Sequence, residues 1–412
     1  MATINDVYAG LTKIGNNIAK KGGTMISQNL SYSLEELAQG VMSIPEGERI
    51  VLSDTDTVIV YEMPNTTISV YDLEDTLIGS QTTPASTGGE VNIEVPEAGT
   101  YRVVATKNGA EFWNRQIAIN GPTIVKTSLS LDDYTEDEIE NSCVNHYAHN
   151  MFNVLDYRTV SFMGSSNQKK YILGFNVLPL EGGGTAEIAW GYLDGTPSSY
   201  KFDSVNSNTC SWIGSDMRDR CLPSGSDKYK YNSSVTSSTS GTYYVYDFTN
   251  DTWVEKTLPD DFVEGENYYV KSQTASDGVF YTSALSANEY SHVKNVINYT
   301  WTGHVKGQTT TSTNITSDKL IKTVDKLFLP SPQQFFGVKP MNGQYWCFNQ
   351  NEGEFMGLPF NKLFGILNNK SKWFRSPSSN SASTGCYWNN SYGYVYNYTI
   401  TSTYSALLCY GQ

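Results

Sequence analysis

Tyrosines recur at every second position near the end of the chain. The stretch "CYWNNSYGYVYNYTITSTY" (386–404) places Tyr392, Tyr394, Tyr396 and Tyr398 two residues apart. Because successive side chains of a strand point to opposite faces, these four rings are predicted to share one face. Tyrosine rings stack on other groups and their hydroxyls donate and accept hydrogen bonds, so this face is either a binding surface or half of a core.

Cysteine and histidine chemistry is not indicated. The six cysteines show no Cys-x-x-Cys pair, and neither they nor the four histidines have the spacing of metal ligands. We therefore expect reduced, buried thiols, no metal site and no cofactor. No Ser/His/Asp triad, phosphate-binding loop or glycosidase carboxylate pair is recognisable either, and we expect the protein not to be an enzyme.

A few charged residues stand out, and we interpret them as structural. Asp216, Arg218 and Arg375 are expected to provide a carboxylate and guanidinium pair that holds the scaffold together. The acidic run "DDYTEDEIEN" (132–141) is typical of the start of a helix, where carboxylates are favoured.

Composition narrows the class of protein. The chain has 412 residues, a formal net charge of -14, 29 tyrosines and only 17% charged residues. The acidic balance argues against a nucleic-acid partner, because phosphate binding requires a basic face. The abundance of tyrosine favours mostly β structure. Neither a secretory signal nor a membrane-spanning segment is recognisable, so we expect synthesis and assembly in a cytoplasm, without membrane insertion.

The pattern of predicted helices and strands divides the chain into three predicted domains. Residues 1–47 contain short amphipathic helices, beginning with Ile4, Val7 and Leu11 at coiled-coil spacing. These helices either pack on a neighbouring domain or, as we prefer, attach and oligomerise the chain. Residues 48–127 alternate like the strands of an immunoglobulin-like sandwich that acts as a spacer. Residues 128–412 form an α+β head with a small β-insertion at about 229–281 and predicted helices over 212–222 and 283–301.

Several blocks of the head resemble one known family. In order along the chain they are "SCVNHYAHNMFNV", "KKYILGFNVLP", "SWIGSDMRDRCL", "VDKLFLPSPQQFFG", "KWFRSPSSNSAS" and "SALLCYG". They are similar to C-type-lectin-like domains related to the formylglycine-generating-enzyme fold. Such domains occur at the C-termini of phage receptor-binding proteins and in the variable proteins of diversity-generating retroelements. The resemblance covers roughly the last two-thirds of the chain, without the insertion.

The resemblance implies that the last β-hairpin presents a ligand-binding surface. In the retroelement systems, error-prone copying of adenines turns Asn codons into Tyr, Ser, Thr and Asp codons, which fits the composition of 386–404. Tyrosine and tryptophan give large contact areas with few torsions to freeze. An ordinary edge strand is the alternative interpretation. A second set of residues that includes Asn390 and Asn397 also stays open, because the exposed face is not fixed by the sequence. The expected ligand-binding residues are Ser383, Thr384, Tyr387, Trp388, Asn389, Tyr392, Tyr394, Tyr396 and Tyr398.

The sequence matches two other activities of related folds less well, namely calcium-dependent sugar binding and cysteine-dependent catalysis. Lectin-type calcium sites resemble a Glu-Pro-Asn or Gln-Pro-Asp loop with a Trp-Asn-Asp strand, whereas this chain has only Trp388-Asn389-Asn390. Formylglycine-generating relatives use paired cysteines, and Cys386 and Cys409 lie at either end of the terminal hairpin. No nearby cationic residue in the sequence would lower their pKa, so structural thiols are the better interpretation.

The function expected from the resemblance is that of a phage tail-fibre receptor-binding protein, an adhesin at the tip of the virion. Its partners would be a bacterial cell-surface protein or glycan, other virion proteins at the N-terminus, and further copies of itself, with a trimer favoured. The alternatives are a surface-displayed bacterial retroelement variable protein and a cysteine-dependent oxidoreductase on the same fold.

Overall fold

The computed structural model describes most of the chain from residue 55 onward. The described residues are 55–127, 131–204, 212–301, 320–337, 369–377, 384–391 and 394–412, with Met356, Leu358, Leu363, Ile366 and Leu367. The predicted N-terminal helical segment, 1–47, lies outside them. Strands dominate the described residues and helices are short, so the mostly-β prediction is confirmed.

Seven strands and two sheets make up the first β region. The sheets have the strand orders β4-β1-β7 and β3-β2-β5-β6. In β2, the buried Thr66, Ile68 and Val70 alternate with less buried neighbours, as expected for a strand with one face in a core. The strands are β1 (Thr57–Glu62), β2 (Thr66–Tyr71), β3 (Leu77–Thr82), β4 (Gly89–Glu94), β5 (Gly99–Lys107), β6 (Ala110–Ile119) and β7 (Pro122–Ile124).

Two compact units can be distinguished in the described chain. One consists of 55–58, 94–99 and 118–123, and the other of 59–93, 100–117 and the described residues after 123. The predicted spacer, 48–127, therefore contributes to both units.

The largest core of the second unit surrounds a four-stranded antiparallel sheet of order β22-β10-β9-β8. The final strand pairs with β10, matching Tyr410 with Trp190. Leu407, Leu408 and Cys409 have no exposed surface, so the end of the chain lies in this core. The elements are α1 (Glu136–Val144), α2 (Ala148–Met151), β8 (Tyr157–Phe162), β9 (Ser165–Pro179), β10 (Thr185–Gly191) and β22 (Cys409–Gly411).

A second, five-stranded sheet carries the terminal hairpin. Its order is β11-β21-β18-β19-β20, and β18 and β21 run parallel. The strands are β11 (Tyr200–Lys201), β18 (Lys372–Pro377), β19 (Thr384–Asn389), β20 (Tyr394–Thr399) and β21 (Thr403–Ala406).

Short helices and a two-stranded ribbon complete the head. The prediction of a helix over 283–301 is wrong for the second half of this segment, which forms a strand. Buried Val296, Asn298 and Thr300 alternate with less buried residues there, which is a two-residue period. The elements are α3 (Asp216–Asp219), α4 (Val279–Ser283), α5 (Ala287–His292), β16 (Val296–Trp301), β17 (Leu320–Asp325) and α6 (Pro332–Phe336).

The segment predicted as a β-insertion contains its own antiparallel sheet, of order β12-β15-β13-β14. Aromatic side chains of this sheet pack with Ile213 and with Ile321 of β17, so the sheet is docked on the head. The strands are β12 (Asp227–Tyr231), β13 (Gly241–Asp247), β14 (Thr252–Leu258) and β15 (Tyr269–Gln273).

Candidate functional site: the tyrosine surface

The register of the terminal hairpin separates its side chains into two faces. Tyr387 pairs with Tyr396 and Gly385 with Tyr398, whereas Trp388 pairs with Val395. Directly paired residues of antiparallel strands lie on the same face. Tyr396 and Tyr398 therefore share a face with Tyr387, and Trp388 lies on the other.

The face with Trp388 is part of the head's core. Trp388, Val395 and Cys386 have no exposed surface. The Trp388 ring stacks on Phe336 of α6, with 5.5 Å between ring centroids. We therefore remove Trp388 from the expected ligand-binding residues, because a ligand has no access to a fully buried ring.

The opposite face brings four tyrosines together. Tyr387 is 3% exposed and lies at the centre, while Tyr398 is 46% exposed. Tyr404 of β21 stacks on Tyr387 at a centroid distance of 4.5 Å and an interplanar angle of 5°. Tyr398 contacts both rings edge-on at 5.9 Å, and Tyr396 lies 6.4 Å from Tyr387. With Asn389, these four residues are called the tyrosine surface below.

Hydrogen bonds fix the polar groups of the tyrosine surface. Asn389 donates from Nδ2 to the Tyr387 hydroxyl at 2.8 Å and accepts at Oδ1 from the Ser391 amide at 3.0 Å. Burial raises the pKa of both Tyr387 and Tyr404, so both stay neutral at physiological pH.

Trp373 of β18 supports the tyrosine surface from within the sheet. Its ring is fully buried and lies 5.9 Å from Tyr387 and 5.0 Å from Tyr404. Its Nε1 donates to the carbonyl oxygen of Tyr200 in β11 at 3.0 Å. Phe202 packs on the same ring at 5.8 Å. The stacked pair above Trp373 is thereby held in one arrangement.

Buried cations hold β18 in place. Arg375 has no exposed surface and donates to Thr300 Oγ1, to the carbonyl oxygens of Leu329 and Tyr299, and to Gln334. Lys372 Nζ donates to the carbonyl oxygens of Leu367 and Lys370 and to Asn369 Oδ1, at 2.7–2.8 Å. Both side chains thus tie the strand beneath the tyrosine surface to neighbouring loops.

The guanidinium and carboxylate pair predicted for the scaffold involves a different acid. Arg218 Nη2 lies 2.9 Å from Asp325 Oδ1, and both side chains are buried. Asp216 instead accepts from the Ser204 amide at 2.8 Å and lies 3.5 Å from Lys230 Nζ. Asp325 comes from β17, far along the chain, so no local pattern identifies it as the partner.

The other expected site residues are only partly described. Ser383 and Tyr392 lie outside the described residues, and for Thr384 and Tyr394 only the backbone, in β19 and β20, is described. In the alternative set, Asn390 accepts at Oδ1 from Ser371 Oγ at 2.8 Å, and Asn397 pairs with Cys386 on the Trp388 face.

The expected list did not include Tyr404. Tyr404 follows a turn at the end of the tyrosine-rich run, and its ring contacts with Tyr387 and Tyr398 place it in the tyrosine surface.

The tyrosine surface lies in an uncharged part of an acidic chain. No Asp, Glu, Lys, Arg or His occurs from Ser376 to Gln412. Stacking and neutral hydrogen bonds are therefore the interactions that the residues of the tyrosine surface themselves offer to a ligand.

The described cysteines are buried thiols. Cys386 donates weakly to the Pro377 carbonyl oxygen, at 3.4 Å, and burial raises the pKa of Cys409. A raised pKa disfavours the thiolate that redox chemistry requires. Within the described ranges, no group of three His, Cys, Asp or Glu residues is arranged to hold a metal ion.

Comparisons with protein-family models, curated proteins and solved structures gave no match for this chain. In the part of the chain that the structure describes, no helix has the length and apolar character needed to cross a membrane.

Proposed function

We propose that the chain is a phage-type receptor-binding protein whose tyrosine surface binds a ligand on the bacterial cell surface. The observation that carries the proposal is the placement of Tyr396 and Tyr398 above the stacked pair of Tyr387 and Tyr404, on a face whose reverse side is core. Partly exposed rings on a rigid base provide contact area without a large ordering cost on binding.

The neutrality of the tyrosine surface bears on what it binds. Its own rings, hydroxyls and amide are uncharged, which suits either a bacterial surface glycan or an uncharged patch of a surface protein. The five residues of the tyrosine surface include none of the basic side chains that nucleic-acid backbones require.

The remaining parts of the chain have supporting roles in the proposal. The head is C-type-lectin-like and the first β region is an immunoglobulin-like spacer. Residues 1–47 attach the chain to other virion proteins and assemble it, as a trimer, at the tip of a tail fibre. Several copies on one fibre raise weak single-site affinity through effective concentration. In this proposal the gene segment for the hairpin is diversified by a retroelement.

Adsorption of the full-length protein to bacterial cells tests the proposal. In a strain panel that includes a binding strain, Tyr398→Ala and Tyr396→Ala are each expected to weaken adsorption about tenfold, because each removes a ring contact. Tyr157→Ala is the matched control, since Tyr157 is 39% exposed on β8, outside the tyrosine surface. Equal adsorption by all three variants and the wild type would reject the tyrosine surface as the binding site.

A further inference from the structure

The sheet of the insertion opens between two of its strands. Tyr244 and Tyr269 form the one bridge between the described residues of β13 and β15. Beyond this bridge the two strands diverge and leave a cleft of about 380 Å³. The lining residues, called the insertion cleft below, are Thr242, Tyr244, Val270, Lys271, Ser272 and Gln273.

Two acids beside the insertion cleft, Asp227 and Glu255, hold its polar side chains. Lys271 Nζ lies 2.7 Å from Asp227 Oδ2 and 5.7 Å from the Tyr244 ring centroid. Gln273 Nε2 donates to Asp227 Oδ1 at 3.5 Å. On the other side, the Tyr244 hydroxyl donates to Glu255 Oε2 at 2.8 Å. Donors and acceptors therefore surround a half-buried aromatic ring in a defined arrangement.

Aromatic packing makes this arrangement rigid. Tyr229 and Trp253 are parallel, with ring centroids 3.8 Å apart, and Tyr244 contacts Tyr229 edge-on at 5.7 Å. The Lys322 amide of β17 donates to the Tyr246 hydroxyl at 3.0 Å, which anchors β13 to the head. The insertion cleft is thus preorganised before any ligand arrives.

We infer that the insertion cleft binds a saccharide unit, as a second binding site apart from the tyrosine surface. The face of a Tyr244 ring matches the C–H face of a sugar ring. Lys271, Gln273 and Thr242, which share that face of the sheet, offer donors and acceptors for adjacent hydroxyls. The volume lies at the lower end of the range of about 300–1,000 Å³ for small-molecule sites, which suits one or two sugar rings.

An extended peptide is the competing occupant, and the lining favours it less. A peptide added between strands takes its specificity from pockets for alternate side chains. The insertion cleft has hydroxyl, amide and amino groups along its walls, and Val270 is its only aliphatic lining residue.

Saturation-transfer NMR with the full-length protein tests the inference. The probes are free glucose, galactose, rhamnose, N-acetylglucosamine and their common disaccharides. We expect saturable binding of at least one probe, weakened about tenfold by Tyr244→Ala and severalfold by Gln273→Ala, as one ring contact and one hydrogen bond are lost. Gln273 is exposed, so its substitution leaves the fold intact.

Two control variants separate this site from the tyrosine surface. Tyr157→Ala and Tyr398→Ala are expected to leave saccharide binding at the insertion cleft unchanged, whereas only Tyr398→Ala weakens adsorption to cells. Absence of binding by every probe overturns the inference, and so does binding that is insensitive to both Tyr244→Ala and Gln273→Ala. Selection of peptides that bind only when Tyr244 is present, without saccharide binding, would overturn it in favour of a peptide.

Discussion

Tyr387 illustrates how one residue serves both core and surface. Its ring is almost fully buried, yet it contacts Tyr396, Tyr398 and Tyr404, which form the more accessible part of the tyrosine surface. Its hydroxyl accepts from Asn389. Tyr387 therefore acts mainly by positioning the outer rings. The sequence does not show that Tyr387 is buried, so sequence analysis gave it the same weight as Tyr398.

Substitution of Trp388 distinguishes a core role from a ligand contact. Trp388→Ala is expected to lower the free energy of unfolding by about 3–5 kcal/mol, because it leaves a cavity beside Phe336. Tyr398→Ala on the other face should lower it by only about 1 kcal/mol, the size of a lost cross-strand ring contact. Chemical denaturation of the two variants measures both values. A small effect for Trp388→Ala would contradict the buried placement.

Lys372 gives the protein a specific pH dependence. Burial lowers its pKa to about 7 from the usual 10.5, although three acceptors surround its amino group. Between these two values the unfolded chain binds the additional proton, so the free energy of unfolding rises with pH, by at most about 1.4 kcal/mol per unit. Below pH 7 both states are protonated and this contribution is constant.

The difference between wild type and Lys372→Met isolates this effect. Denaturation at intervals from pH 6 to pH 8.5 should show a rise in stability above pH 7 in the wild type that the variant lacks. Parallel curves for the two proteins would show that Lys372 keeps its proton throughout.

Among the secondary-structure elements, the alternation of side chains within a strand was predictable from the sequence. The pairing between strands distant in the chain was not. The two-residue spacing of Tyr394, Tyr396 and Tyr398 predicted a strand, and β20 spans those residues. The sequence did not show which face of the hairpin meets the core, because Trp388 and Tyr387 are both large aromatic residues. Phe336 and Trp373 decide this, and they come from α6 and β18.

The helix prediction failed where the chain changes from a helix to a strand within a few residues. Ser286 and Glu289 form a capping box that starts α5, and the structure confirms a helix there. The helix ends at His292 and β16 begins at Val296. Pairing of β16 with β17 determines this change, and β17 lies about twenty residues further along the chain.

The hairpin's two faces predict a pattern of natural variation. If a retroelement diversifies this gene, codons 389, 396 and 398 are expected to vary among sister genomes. Codons 386, 388 and 395 should stay fixed, because their side chains fill the core. Sequencing the gene and its flanks, with a search for a near-copy of the 3′ end beside a reverse transcriptase, tests this. Variation spread equally over both faces, or no template copy, would contradict diversification of a binding face.

In the whole molecule, the two proposed contact surfaces lie on different sheets. The tyrosine surface lies on the five-stranded sheet that the C-terminal strands complete, and the insertion cleft lies on a sheet of its own. Composition predicted the mostly-β class, whereas the insertion cleft depends on a single divergence between β13 and β15 that no sequence pattern marks.

Tyrosine nitration on adsorbed protein tests whether the tyrosine surface is the face that meets the cell. Tyr398 and Tyr157 are similarly exposed, at 46% and 39%, so tetranitromethane should modify both in the free protein. After adsorption to bacterial cells, we expect strong protection of Tyr398 and unchanged nitration of Tyr157, measured by mass spectrometry of the recovered chain. Equal nitration of Tyr398 in free and adsorbed protein would contradict binding through the tyrosine surface.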